Sequence, residues 1–160
     1  MTRATAKGRL GGPGGGTRDA ARQRDTINRM TGPTRQRLIT LRNGLLRLHK
    51  VLMESERAAY ERDVAQIASS GQYLNLVMND PRFSWLRELS QFVVMVDEML
   101  AQKEPVAEED AGGLIVMART LVAPDENGER FARSYWQAMQ RDPANVLAHG
   151  DMMKVFAELA

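Results

Sequence analysis

From Thr34 onward, apolar and polar residues alternate with the period of an α-helix. Leu38, Leu41, Leu45, Leu48 and Leu52 recur at spacings of three and four, a seam about one helix face wide. A second row at sevens, Ile39, Leu46, Met53, Tyr60 and Ile67, widens that face to the arc a bundle helix buries. The pattern predicts a helix from Thr34 to about Ala68, spanning about 50 Å at ~1.5 Å per residue. Where leucine stops, the small Ser55 and Ala59 continue the seam and would admit a close neighbour. Such a helix is longer than a small body needs. Its N-terminal leucines, Leu38, Leu41 and Leu45, are therefore expected to form a surface shared with a second chain, as a homodimer or with another helical partner.

Downstream, Ser69, Ser70 and Gly71 break the helix, and "QYLNLVMN" predicts a short helix or turn. Asp80 followed by Pro81 is a helix start, because the Asp side chain caps free amides and proline suits the first helical position. The same signal recurs at Asp142 and Pro143. Between them lie "EEDAGGLIVMARTLV", weakened by Gly112 and Gly113, and "NGERFARSYWQAM", preceded by the turn "APDENG". No alternating run predicts a strand. The expectation is an all-α protein, a bundle of five or six helices with a long first helix and a disordered N-terminal arm. In residue terms, 1–33 is the arm and 34–160 a single helical domain.

The segments "LLRLHKVLMESERAAYER", "NDPRFSWLRELSQFVVMVDEML" and "FARSYWQAMQRDPANVLAHGDMM" together resemble a group of short, all-helical, uncharacterised bacterial proteins. The likeness covers Thr34 to Leu159. It implies a fold and no activity, so it transfers no functional residue. The stretch before Met30 has no counterpart in that pattern, which agrees with a reading of Met30 as the natural start.

The arm is set apart by charge as well as by pattern. Met1 to Pro33 carries seven Lys or Arg against two Asp, while the remainder carries 15 against 18. Five of the six residues from Gly11 to Gly16 are glycine, and large apolar side chains are almost lacking, so the arm cannot offset its ordering entropy. A phosphate-loop reading fails because no strand precedes the glycines and the Gly-Lys-Ser/Thr ending is missing. Phosphate binding by a basic tail, through counterion release, stays open as a route to nucleic acid.

At 160 residues the chain is long enough for one core. No run reaches the ~18 to 20 apolar residues of a membrane span. Absence of cysteine excludes a disulfide framework, a thiolate nucleophile and the common zinc-finger ligand sets. A soluble, cytoplasmic protein is expected.

Polar residues inside the apolar stripes are the candidates for chemistry. His49 lies about 40° from Leu45 on the helical wheel, inside the apolar arc, and Arg42, Glu56 and Asp63 share its row at sevens. His149 falls among Val146, Met152, Met153, Phe156 and Leu159, and Asp97 flanks the stripe Leu86, Leu89, Val93, Val96 and Leu100. His49, Glu56, Asp97 and His149 thus form a candidate ligand or polar-core cluster, either hydrogen-bonded core residues or acid–base groups around a small ligand. No metal or other cofactor is expected, since the paired Glu-x-x-His of diiron bundles and the His-Glu-x-x-His motif are both missing. "DENG" lacks the alternating ligands of a calcium loop, and no nucleophile elbow precedes a helix. Trp85, Phe131, Tyr135 and Trp136 are expected in the core, and most of the ten methionines in gaps between helices, with an adaptable binding face as the alternative for a Met-rich surface. The function expected is that of a non-catalytic cytoplasmic interaction or regulatory protein pairing through its long first helix. The alternatives are a ligand- or metal-binding bundle, hydrolytic or not, using His49, Asp97 and His149, and a nucleic-acid accessory protein acting through the arm.

Overall fold

A computed structural model describes residues 16–160, with the side chains of 25–31 outside that description. Residues 1–15 of the expected arm, including the glycines at 11, 12, 14 and 15, lie outside the described residues. Every regular element among those described is helical: α1 (Gly16–Asp63), α2 (Ser70–Asn79), α3 (Pro81–Ser84), α4 (Arg87–Ala101), α5 (Glu108–Leu121), α6 (Arg130–Arg141) and α7 (Pro143–Glu158). None is long and apolar enough to cross a membrane.

The helix starts follow local chemistry. Ser69 caps α2 by accepting from the Gln72 amide at 3.1 Å. Asp80 caps α3 through the Arg82 amide at 2.8 Å, and Asp142 caps α7 through the Ala144 amide at 2.9 Å. In both Asp-Pro pairs the proline takes the first turn, where its missing N–H costs nothing. The segment after Pro81, continuous in its apolar pattern, divides into α3 and α4. Leu86 donates to the Phe83 carbonyl at 3.0 Å, an i to i+3 bond that tightens the turn and buries both side chains.

Helix α1 starts at Gly16, upstream of the expected boundary, and ends at Asp63. Residues 16–24 are exposed throughout, so that stretch adds no burial. The core begins at Thr34, 3% exposed, whose hydroxyl donates to the Glu108 carboxylate at the start of α5. Leu38, Leu41, Leu45 and Leu52 are 0% exposed and Leu48 is 2% exposed. They are covered by α4, α5 and α7, which contribute Leu89, Val96, Leu114, Ala118, Met152 and Phe156 to one continuous cluster. Burial of each leucine contributes about 1.5–3 kcal/mol.

This corrects the expectation that Leu38, Leu41 and Leu45 form an interface. The excess length of α1 lies before Pro33, where there is no leucine seam, whereas the seam itself is enclosed by the chain's own helices. It is core, and lends no support to pairing through that face.

Gly44 allows α7 to approach α1. A methyl group there would stand 3.1 Å from Val155 Cγ1 and 3.2 Å from Met152 Sδ, whereas one on Gly113, in the exposed middle of α5, would meet nothing within 4 Å. Gly113→Ala should therefore stabilise by the usual ~0.5–1 kcal/mol for a helix interior. Gly44→Ala should instead lower stability by about 1 kcal/mol, since crowding against a stiff valine costs ~1–3 kcal/mol and exceeds the propensity gain. Urea unfolding of both variants checks this, and equal stabilisation by the two would refute the close approach.

Candidate functional site

The four polar candidates face four different environments. His49 on α1 is half-buried and lines a cavity of about 490 Å³ with Met53, Phe83, Leu86, Arg87 and Ser90. Asp97 on α4 pairs with Arg42 Nε, with side chains 42% and 38% exposed, a surface contact of small energetic weight. His149 on α7 sits against Tyr135 of α6, with Nδ1 2.8 Å from the phenol oxygen. Glu56 on α1, 2% exposed, is held by Arg141 at the end of α6. The candidate cluster is thus not assembled: Asp97 is engaged by Arg42, and each histidine lies among other groups. Among the described residues no three His, Cys, Asp or Glu side chains converge in a geometry that could hold a metal ion.

Tyr135 is fully buried, and burial raises its phenol far above the usual range, so the hydroxyl keeps its proton. Its only hydrogen-bond partner among the described residues is His149. The arrangement that leaves no buried O–H unpaired has the phenol donating to Nδ1 of a neutral imidazole. Burial also lowers the pKa of His149, and that of His49, in agreement with neutral rings.

Glu56 follows Leu52 by one helical turn, so a carboxylate stands where the buried stripe runs on toward Tyr60. Burial raises its pKa, and the opposing attraction of Arg141, with hydrogen bonds from Arg141 and the Trp85 indole, does not cancel that rise. Next to it, Ser55 donates to Asp142 Oδ2 at 2.9 Å, and Asn145 Nδ2 donates to Ser55 Oγ and to the Ala138 carbonyl, both at 3.0 Å. Asn145 is completely buried, and its Oδ1 has no hydrogen-bond partner. Consecutive residues of α1 therefore grip the consecutive residues Arg141 and Asp142 at the α6–α7 corner. The small Ser55 does admit a close neighbour, and that neighbour is α7.

Glu56 and Arg141 also line a cleft of about 530 Å³ with Arg82, Trp85, Trp136 and Gln137. Trp85 packs on the core, its ring 5.3 Å from that of Phe131. Trp136 does not: it lies outside the core cluster and meets no other ring among the described residues, contrary to the expectation that it is core. A second surface feature is a groove of about 550 Å³ between α4 and α5, lined by Phe92, Met95, Val116, Met117 and Leu121. Neither feature shows in helical periodicity, which says that Trp136 and Val116 are apolar and says nothing of what faces them.

No known protein family, curated protein or solved structure matches this chain.

The buried titrating groups make stability depend on pH in opposite senses. For His49 and His149 the folded pKa lies below the ordinary 6.5, so the unfolded chain binds more protons in acid. Their contribution is complete well above pH 6.5 and falls away as pH drops through that value and the lower folded one. His149→Gln, which still offers Tyr135 an acceptor, should gain melting temperature relative to the parent as the solution is acidified. A difference that stays flat with pH would show that the ring is not buried.

Glu56 behaves in reverse, because its folded pKa lies above the ordinary 4.5 and the folded chain holds the proton longer. Its contribution is complete below pH 4.5 and is lost as pH rises through the folded value. Glu56→Gln should therefore be least favourable relative to the parent in acid and improve toward neutrality. The opposite slope would mean that Arg141, and not burial, dominates the site.

Proposed function

We propose that this chain is a non-catalytic helical interaction protein of the cytoplasm that takes an amphipathic helix of a partner into the groove between α4 and α5. The observation that carries this reading is the apolar surface there. Met95, Val116 and Met117, which line the groove from neighbouring helices, are 41%, 63% and 49% exposed. Large apolar side chains grouped across two helices mark interaction surfaces on soluble proteins, and methionines let such a surface adapt to its partner. Glu88, Gln91, Thr120 and Arg130 give the groove a polar rim of mixed charge, as helix-binding grooves require for orientation. The alternative of a shared site at His49, Asp97 and His149 draws no support from their surroundings, since His49 lines its own cavity, Asp97 pairs with Arg42 and His149 sits against Tyr135.

The test places a photo-crosslinking amino acid at Val116 in the full chain, in cells of the source organism, and at Lys154 on α7 as an exposed control. A discrete protein adduct at Val116 and none at Lys154 is the expected result. Met95→Asp should remove that adduct while costing less than about 1 kcal/mol of stability, because the residue is substantially exposed. The same adducts at both positions, or none at Val116, would refute the groove as a docking surface.

A further inference from the structure

The cleft between α1, α3 and α6 has the makings of a small-molecule site separate from the groove. Its floor is the Glu56–Arg141 pair, whose charges offset one another. Arg82, 41% exposed, adds a second guanidinium at the rim, 3.5 Å from Asp63. Of the charged side chains, two arginines, Arg82 and Arg141, and one carboxylate, Glu56, line the cleft itself. The lining thus holds one guanidinium in excess, which favours an anion.

The second observation is Trp136. Its indole is half-buried, lines the cleft, takes no part in the core and makes no hydrogen bond or ring contact among the described residues. A large ring held at the wall of a cavity without a protein partner offers a flat face for stacking. Ser134, Gln137 and Gln140 line the same space and likewise hold no side-chain hydrogen bond among the described residues, so donors and acceptors stand beside the indole. The cavity, about 530 Å³, is of the size that small ligands occupy.

We propose that the cleft binds a planar aromatic anion, with its ring on Trp136 and its carboxylate or phosphate on Arg82 and Arg141. The guanidinium plane of arginine suits either anion in a forked geometry. Arg141 would divide its donors between Glu56 and the ligand, and Trp85 would be held in place by Glu56 and Phe131. No bond is made or broken.

The chain supplies its own reporter, since its two tryptophans, Trp85 and Trp136, both line the cleft. Titration of the full chain with benzoate and with AMP, followed by intrinsic fluorescence and calorimetry, separates a carboxylate from a phosphate ligand. Benzyl alcohol, adenosine and inorganic phosphate supply the ring or the anion alone. The expected result is saturable binding of benzoate, AMP or both, about tenfold or more tighter than the corresponding half-ligands. Arg82→Gln and Trp136→Leu should each weaken it about tenfold, as loss of one charge-assisted contact or one stacking face does. Neither replaced side chain belongs to the core, and an unchanged melting temperature confirms that each variant is folded. The proposal is overturned if neither anion gives a saturable change, if a neutral ring binds as tightly as its anion, or if both substitutions leave affinity unaltered. It is equally overturned if a single-stranded oligonucleotide binds while AMP does not, because the cleft would then be part of a nucleic-acid surface.

Discussion

Enclosure of the leucine seam of α1 by helices of the same chain is the constraint on which the rest depends. A helix that buries one face against α4, α5 and α7 at once has no freedom to slide or rotate, because a turn of one residue would carry polar side chains inward. Gly44 brings α7 close enough for Val155 and Met152 to fill the space a side chain would need. Thr34 marks where enclosure begins, and its bond to Glu108 ties the start of the buried face to the start of α5. The exposed residues 16–24 at the start of α1 add length without adding core.

The same enclosure creates the polar chemistry of the molecule. Glu56 follows Leu52 on the buried stripe, so folding the leucines necessarily takes a carboxylate out of water. An unpaired buried carboxylate would be very costly, and Arg141 together with the Trp85 indole reduces that cost without abolishing it. Asp142, next in sequence, accepts from Ser55, caps α7 and helps to orient Asn145. One corner between α6 and α7 thus ends a helix, starts another and locks both to α1. The cleft beside that corner exists because α6 leans on α1 through this polar joint and carries Trp136 on the side away from the core.

Two kinds of surface result, built from different helices. The α4–α5 groove is apolar with a mixed rim and suits a helix, whereas the α1–α3–α6 cleft is lined by tryptophan, arginine and glutamine and suits a small charged ring. Because no residue lines both, the proposed partner surface and the proposed ligand site can each be altered without touching the other.

By itself the sequence determined the all-helical class, the identity of the buried leucine face and the starts of α3 and α7, because these are local: periodicity of three and four, and an Asp-Pro pair, act within one or two turns. It also marked His49, Glu56, Asp97 and His149 as polar groups on or beside apolar faces; in the fold Glu56 is buried, both histidines are half-buried and Asp97 lies at the surface. Partners were beyond it. That Leu38, Leu41 and Leu45 meet the chain's own helices, that Glu56 meets Arg141 and Asp97 meets Arg42, and that Trp136 stands off the core are decided only when distant helices pack. A helical wheel gives the direction in which a side chain leaves its own axis. Which helix lies in that direction depends on the simultaneous burial of every other face, a property of the whole fold that no single segment carries.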